Sequence, residues 1–144
     1  MNLSFELLQE KDIPSIRELI EGFMEYDHAI IRAFLSEKRN IALVAKLEDK
    51  IIGLIYGYSL ARMDMKAPQF FIYSVDIHPE HQDKGYGSRF VEHAVAWARG
   101  NGFSESFVLT DKDNPRACRV YEKAGMTHSA NDCERMYVIE YPGS

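Results

Sequence analysis

Cysteine is scarce in this sequence: only Cys118 and Cys133 occur among 144 residues. They stand far apart and neither belongs to a closely spaced pair, which argues against a zinc site or a redox couple and predicts ordinary reduced thiols. Long hydrophobic runs are missing too, none approaching the roughly 18 residues that a membrane span needs, so no membrane partner is expected. Met1 to Gln9 lacks the basic start and apolar block of a secretory signal, and the expected location is the cytoplasm. Positive charge is short as well: 17 Lys and Arg against 22 Asp and Glu leave a net charge of −5. That balance disfavours a nucleic-acid-binding surface and mildly favours cationic substrates. Neither a repeat nor a low-complexity linker interrupts the chain. Residues 1–144 are therefore expected to form one domain, long enough to bury a core without metal or disulfide staples.

What is present is an alternation of strand-like and helix-like segments. Ser4 to Leu8 alternates apolar and polar residues as a strand does, and Asp12 with Pro14 offers a helix start before Ile16, Leu19, Ile20 and Phe23 repeat on one face. A second helix is expected over Glu25 to Leu35. Ile41 to Lys46 and Ile51 to Ala61 are two β-rich runs joined by Glu48-Asp49-Lys50, a hairpin signal, and Met63 to Pro68 reads as a turn. Phe70 to His78 is the longest aromatic and β-branched run, stopped by Pro79, which cannot donate to a ladder. Phe90, Val91, Ala94, Val95 and Ala98 recur at helical spacing up to Gly100 and Gly102. Ser106 to Thr110 reads as a short strand. Asn114-Pro115 opens a last helix, whose inner face is Ala117, Val120, Tyr121 and Ala124 and whose end is Gly125. Two closing strands are expected near Met126 to Ala130 and Glu134 to Tyr141. This order predicts an α/β chain built on a mixed sheet.

Between the long strand and the amphipathic helix lies Gln82-Asp83-Lys84-Gly85-Tyr86-Gly87-Ser88. A strand, a tight glycine turn and a helix start together present unpaired backbone N–H groups and the positive end of a helix dipole to one point. Such a point suits an anion, phosphate above all. Gly85 and Gly87 let the backbone approach without Cβ obstruction, and Lys84 adds positive charge at the rim. Asp83 opposes that charge unless its carboxylate points outward while its N–H points in. The segment lacks the third glycine of a dinucleotide fingerprint and the G-K-[ST] of a phosphate loop, so both of those classes drop out. His78-Pro79-Glu80-His81 cannot set two histidines on one helical face, and no metal is expected.

Two separated motifs, Val75-Asp76-Ile77-His78-Pro79 with Gln82-Asp83-Lys84-Gly85-Tyr86-Gly87, and Asn114-Pro115-Arg116-Ala117 with Tyr121-Glu122-Lys123-Ala124-Gly125-Met126, resemble the two signatures of the GCN5-related N-acetyltransferase family. The resemblance implies a central, mostly antiparallel sheet of six to seven strands, flanked by about four helices and splayed at strands four and five. It implies acetyl-CoA as donor, with its pyrophosphate on the N–H groups of residues 82–88 and its pantetheine arm along Val75, Asp76 and Ile77. Asn114 is an ordinary helix cap in its own right; the likeness adds a contact with the pantetheine amide. Tyr121 is either a core aromatic or, as in similar enzymes, the acid that protonates the departing thiolate, a role that suits a phenol of pKa about 10.

Transfer to an amine requires the amine neutral, so a base or a water path must take its proton. Asp76 and Glu25 are the candidates, with Asp27 and His28 near Glu25. Ser74 and Leu109 stand where many relatives carry acids. Phe71-Ile72-Tyr73, Glu80-His81 and Met136 to Tyr141 resemble the type I aminoglycoside 3-N-acetyltransferases. An acidic groove of Glu25, Asp27, Asp76 and Glu140 would attract polyamines, lysine side chains and aminoglycosides alike. The expected function is acetyl transfer to a primary amine by direct attack in a ternary complex, the alternative being a non-catalytic CoA-binding regulatory module. The closing strands can pair across a homodimer, though nothing in them demands it.

Overall fold

A computed structural model describes residues 2–128 and 137–142. Five strands form one sheet in the order of the chain: β1 (Leu3–Leu7), β2 (Asn40–Leu47), β3 (Lys50–Arg62), β4 (Met65–Ile77) and β5 (Glu105–Val108). The first three pairings are antiparallel; β4 and β5 run parallel. A 3-10 segment (Glu10–Ile16) leads into α1 (Arg17–Glu21), and α2 (His28–Ser36) follows; α3 (Tyr86–Gly100) and α4 (Pro115–Lys123) come after β4 and β5. The helices cover both faces. Ile52, Ile55, Phe70, Ile72, Phe90, Val91 and Ala94 fill one core between the sheet and α3. Ile16, Leu19, Ile20, Val44 and Leu54 fill the other, beneath α1 and α2. None of the helices among the described residues is long and apolar enough to cross a membrane.

The first helix is shorter than its periodicity suggests, because Pro14 sits inside a 3-10 segment and α-helix begins only at Arg17. The second starts later than expected: Asp27 is its N-cap and accepts from Ala29 N–H at 3.0 Å and Ile30 N–H at 3.2 Å, leaving Glu25 outside. β4 reaches back to Met65 through a stretch that reads as a turn. Pro68 is tolerated there because the β3–β4 ladder is irregular between Leu60 and Arg62. Five strands stand among the described residues in place of six or seven. Met126 to His128 and Tyr137 to Tyr141 form no strand, and residues 129–136, with Cys133, lie outside the described residues. The aromatic and β-branched run near Tyr137 is a strand signal, but a strand also needs a ladder partner, and Tyr137 and Ile139 are exposed.

Two irregularities in β4 position everything that follows. Tyr56 is registered with Ser74 but Gly57 with Ile72, so Tyr73 is an extra residue, a β-bulge. Because side chains alternate with period two, the bulge switches which residues face which side. Phe70 and Ile72 face α3 before it; Val75 and Ile77 do so after it. Gly57 makes the bulge possible, since a Cβ there would lie 1.9 Å from the Phe71 carbonyl oxygen. The second irregularity is a splay: pairing with β5 ends at Ile72 and Val108, while β4 continues to Ile77.

Candidate active site

The splay opens a cleft of 360 Å³ between the end of β4, the glycine turn and α4. Val75 and Ile77 form its strand side, Gln82, Asp83, Gly85, Gly87 and Ser88 its turn side, and Asn114, Ala117, Val120 and Tyr121 its α4 side. Nine of the twelve residues assigned from sequence to donor binding thus converge on one cavity. Lys84 and Tyr86 are not among its lining. Tyr86 packs instead on the α3 core. Asp76, displaced by the bulge, is also absent from the lining.

The turn is held open by its backbone. Asp83 and Gly85 both have positive φ, at 62° and 82°, and Gly85 is the N-cap of α3 without any side-chain capping bond. The first N–H groups of α3 therefore face the cleft without an intrahelical acceptor. A Cβ on Gly87 would meet Val120 at 3.5 Å, an ordinary contact, so packing alone does not require glycine there. Gln82 ties the turn to the strand by donating from Nε2 to the Ile77 carbonyl at 2.9 Å. Arg116 reaches over from α4 to donate to Gln82 Oε1 and, at 3.0 Å, to Asp83 Oδ2. The Asp83 carboxylate is thereby directed to Arg116.

Sequence reasoning gave no role to Arg116, Arg119 or Lys123, all of which line the cleft. Their three- and four-residue spacing along α4 was the available signal. Arg119 and Lys123 make no ion pair among the described residues, so their charges are available to an anion. Bare helix-start amides, two glycines and two unpaired cations are a donor set that fits a diphosphate-bearing ligand. No cluster of three His, Cys, Asp or Glu among the described residues is placed to hold a metal.

Asn114 caps α4, its Oδ1 accepting from Ala117 N–H at 3.2 Å, as its position before proline predicts. Tyr121 lines the cleft from α4. Burial, then the nearby Asp76 carboxylate, then Cys118 raise its phenol above the ordinary 10.0 and keep it protonated. Asp76 itself projects with Ser74 onto the α2 side of β4, and Ser74 Oγ donates to Asp76 Oδ2 at 2.6 Å. Burial raises this carboxyl above the ordinary 3.8, the Ser74 bond opposing the rise. The Asp76 carboxylate thus acts on Tyr121 across the splayed edge. The four acids of the expected groove lie in different settings, Asp76 among them on β4. Asp27 is committed to its helix cap, and Glu25 and Glu140 are exposed without a partner among the described residues.

Comparison with known proteins matches residues 6–126 to the acetyltransferase (GNAT) family. The amino-acid acetyltransferase of Neisseria meningitidis is 31% identical over 99 residues, which are 69% of this chain and 22% of that protein. Human N-acetyltransferase 8 is 23% identical over 96 residues, 67% of this chain and 42% of that protein. The chain therefore spans less than half the length of these curated relatives. Among solved structures, an aminoglycoside acetyltransferase from an uncultured soil metagenomic sample, in complex with trehalose, superimposes with a TM-score of 0.82 at 25% identity, covering 96% of this chain and 97% of that one. The same enzyme has also been crystallised with sisomicin. With a family match over most of its length and a glycine turn, splayed strand and Asn-Pro helix around one cleft, this chain belongs to the GNAT acetyltransferase family.

Proposed function

We propose that this protein transfers the acetyl group of acetyl-CoA to a primary amine by direct attack in a ternary complex. One observation carries the reading: the uncapped start of α3, the unpaired edge of β4 and the protonated Tyr121 border a single cleft. Bound there, acetyl-CoA supplies a thioester that a neutral amine can attack. The first-turn amides of α3, with Arg119 and Lys123, hold the diphosphate. Each such N–H or dipole contact is worth roughly 0.3 to 1 kcal/mol, so several must act together. Val75 and Ile77 offer an apolar floor to the pantetheine arm, while Asn114 keeps its capping bond.

The proton balance falls to two side chains. As the new N–C bond forms and the C–S bond breaks, Asp76 accepts the amine proton, directly or through water, and Tyr121 donates its phenolic proton to the departing thiolate. Burial favours both roles, since it makes the Asp76 carboxylate more basic and keeps Tyr121 from ionising. Glu25, exposed in the segment before α2, is a lesser candidate and serves only through a chain of water.

Calorimetric titration with acetyl-CoA, ATP and NAD, followed by thiol release with an amine panel, tests this reading. Aminoglycosides belong in that panel because of the soil enzyme. Binding of acetyl-CoA alone among the three, with amine-dependent thiol release, is expected. Failure to bind acetyl-CoA would overturn the donor assignment. Binding without release for any amine would favour the regulatory module.

A further inference from the structure

A second cavity, of 220 Å³, lies between α2 and β3 on the face of the sheet that also carries Asp76. Met24, Ile30, Ile31, Phe34, Tyr56 and Tyr58 form its mouth and walls, and no charged side chain lines it. It adjoins Asp76 through the sheet register: Leu54, on the cavity floor, is the cross-strand partner of Asp76, and Tyr56 that of Ser74. The bulged Tyr73 extends the wall, its ring 5.6 Å from Tyr56 and 5.8 Å from Tyr58, and remains 57% exposed. Asp76 is thus a carboxylate beside an aromatic and aliphatic hollow whose own lining carries no charge.

From this geometry we infer that the acceptor is a small primary monoamine with an aromatic or short aliphatic body, its nitrogen at Asp76 and its body in the hollow beneath α2. The inference rests on the acetyl-transfer reading and narrows its acceptor. One ammonium finds one carboxylate and tyrosine rings, a combination that recognises a single cation well. Further ammonium groups would lie against apolar walls without a counter-ion and lose their hydration. The cavity is also smaller than the roughly 300 to 1,000 Å³ of pockets for drug-sized ligands, which suits one ring or a short chain. Polyamines and aminoglycosides are disfavoured on both counts.

Phenethylamine, hexylamine, spermidine and gentamicin, titrated calorimetrically into the free protein and then compared as acceptors in thiol release, provide the test. Phenethylamine should bind at least tenfold more tightly than spermidine or gentamicin and show a correspondingly higher kcat/KM. Ile30, 67% exposed at the mouth, can be changed without disturbing the core. Ile30→Glu should weaken phenethylamine, strengthen spermidine and leave acetyl-CoA affinity as it was. Equal or tighter binding of spermidine or gentamicin would overturn the inference, as would phenethylamine binding that Ile30→Glu does not alter. Loss of acetyl-CoA binding alone would instead overturn the donor reading, because the amine titrations are made without the donor.

Discussion

The two sides of β4 beyond its bulge are built by different means. On the α3 side the cleft is made chiefly of main chain: uncapped amides, two glycines and the end of an unpaired strand. On the α2 side the surface is made of side chains, with Asp76 and Ser74 set among Tyr56, Tyr58 and Tyr73. A backbone grip takes any ligand with the right anion, whereas a side-chain hollow discriminates among bodies and charges. The proposed division of labour follows: a common donor on one side and a selected acceptor on the other. The bulge creates this contrast by switching the side-chain order of a single strand.

Removing the bulge should abolish both sides at once. In Gly57→Ala the new Cβ would overlap the Phe71 carbonyl oxygen, and β3 and β4 must separate. A loss of roughly 3 kcal/mol is expected from such backbone overpacking. Chemical denaturation should show it, together with loss of acetyl-CoA binding; a variant as stable as the parent would mean that the strands do not approach as described. Tyr121→Phe should act on chemistry alone, since the ring and its packing remain. We expect kcat to fall about 10² to 10⁴-fold with acetyl-CoA affinity retained. Because the phenol is held above 10.0, the parent rate should decline only in strongly alkaline solution. Unchanged turnover in the variant would exclude Tyr121 as the acid.

The same contrast explains what could be read from the sequence. Gly85, Gly87, Asn114 and Tyr121 were legible because the donor cleft depends on local spacing: a turn, a cap and a helical face each leave a short pattern. All five described strands and most helix positions were legible for the same reason, with ends shifted where Pro14 and Asp27 decide the helix start. The bulge was not legible. Nothing in Phe71-Ile72-Tyr73-Ser74 announces an unpaired residue, because its cause is Gly57 on the neighbouring strand. From sequence alone Asp76 therefore groups with the donor-cleft residues, and composition does not reveal that Asp27 caps α2. Arg116, Arg119 and Lys123 escaped because their role depends on where α4 docks.

Gly87→Leu would sharpen the distinction on the donor side. A Cβ at this position meets only ordinary contacts, and leucine favours a helix more than glycine does, so thermal stability should hold. The rest of the side chain would project into the cleft and separate the ligand from the amides. An increase on the order of tenfold in the acetyl-CoA KM is expected, equivalent to about 1.4 kcal/mol or two to three lost N–H contacts. Amine binding to the free protein should stay the same. If the acetyl-CoA KM did not change, the diphosphate would have to lie elsewhere.

Asp76→Asn should have a small effect on the fold, in the direction opposite to that of Gly57→Ala. Burial keeps the folded carboxyl above 3.8, the value expected in the unfolded chain. At a pH above the folded value both states are ionised, and the folded state carries the cost of a partly desolvated charge. As the pH falls, the folded chain takes up its proton first and the cost diminishes; below 3.8 both states are protonated and it is gone. Asparagine has no charge to desolvate and still offers Ser74 an acceptor oxygen. The variant should therefore have a slightly higher Tm than the parent at neutral to alkaline pH, with the difference closing as the pH falls from the raised folded value towards 3.8. Turnover should fall in the same variant, and any acidic limb of the rate profile assigned to this carboxyl should disappear. A Tm at pH 8 equal to or below that of the parent would show that Asp76 is not held at a cost, and would leave its basicity no higher than that of a surface acid.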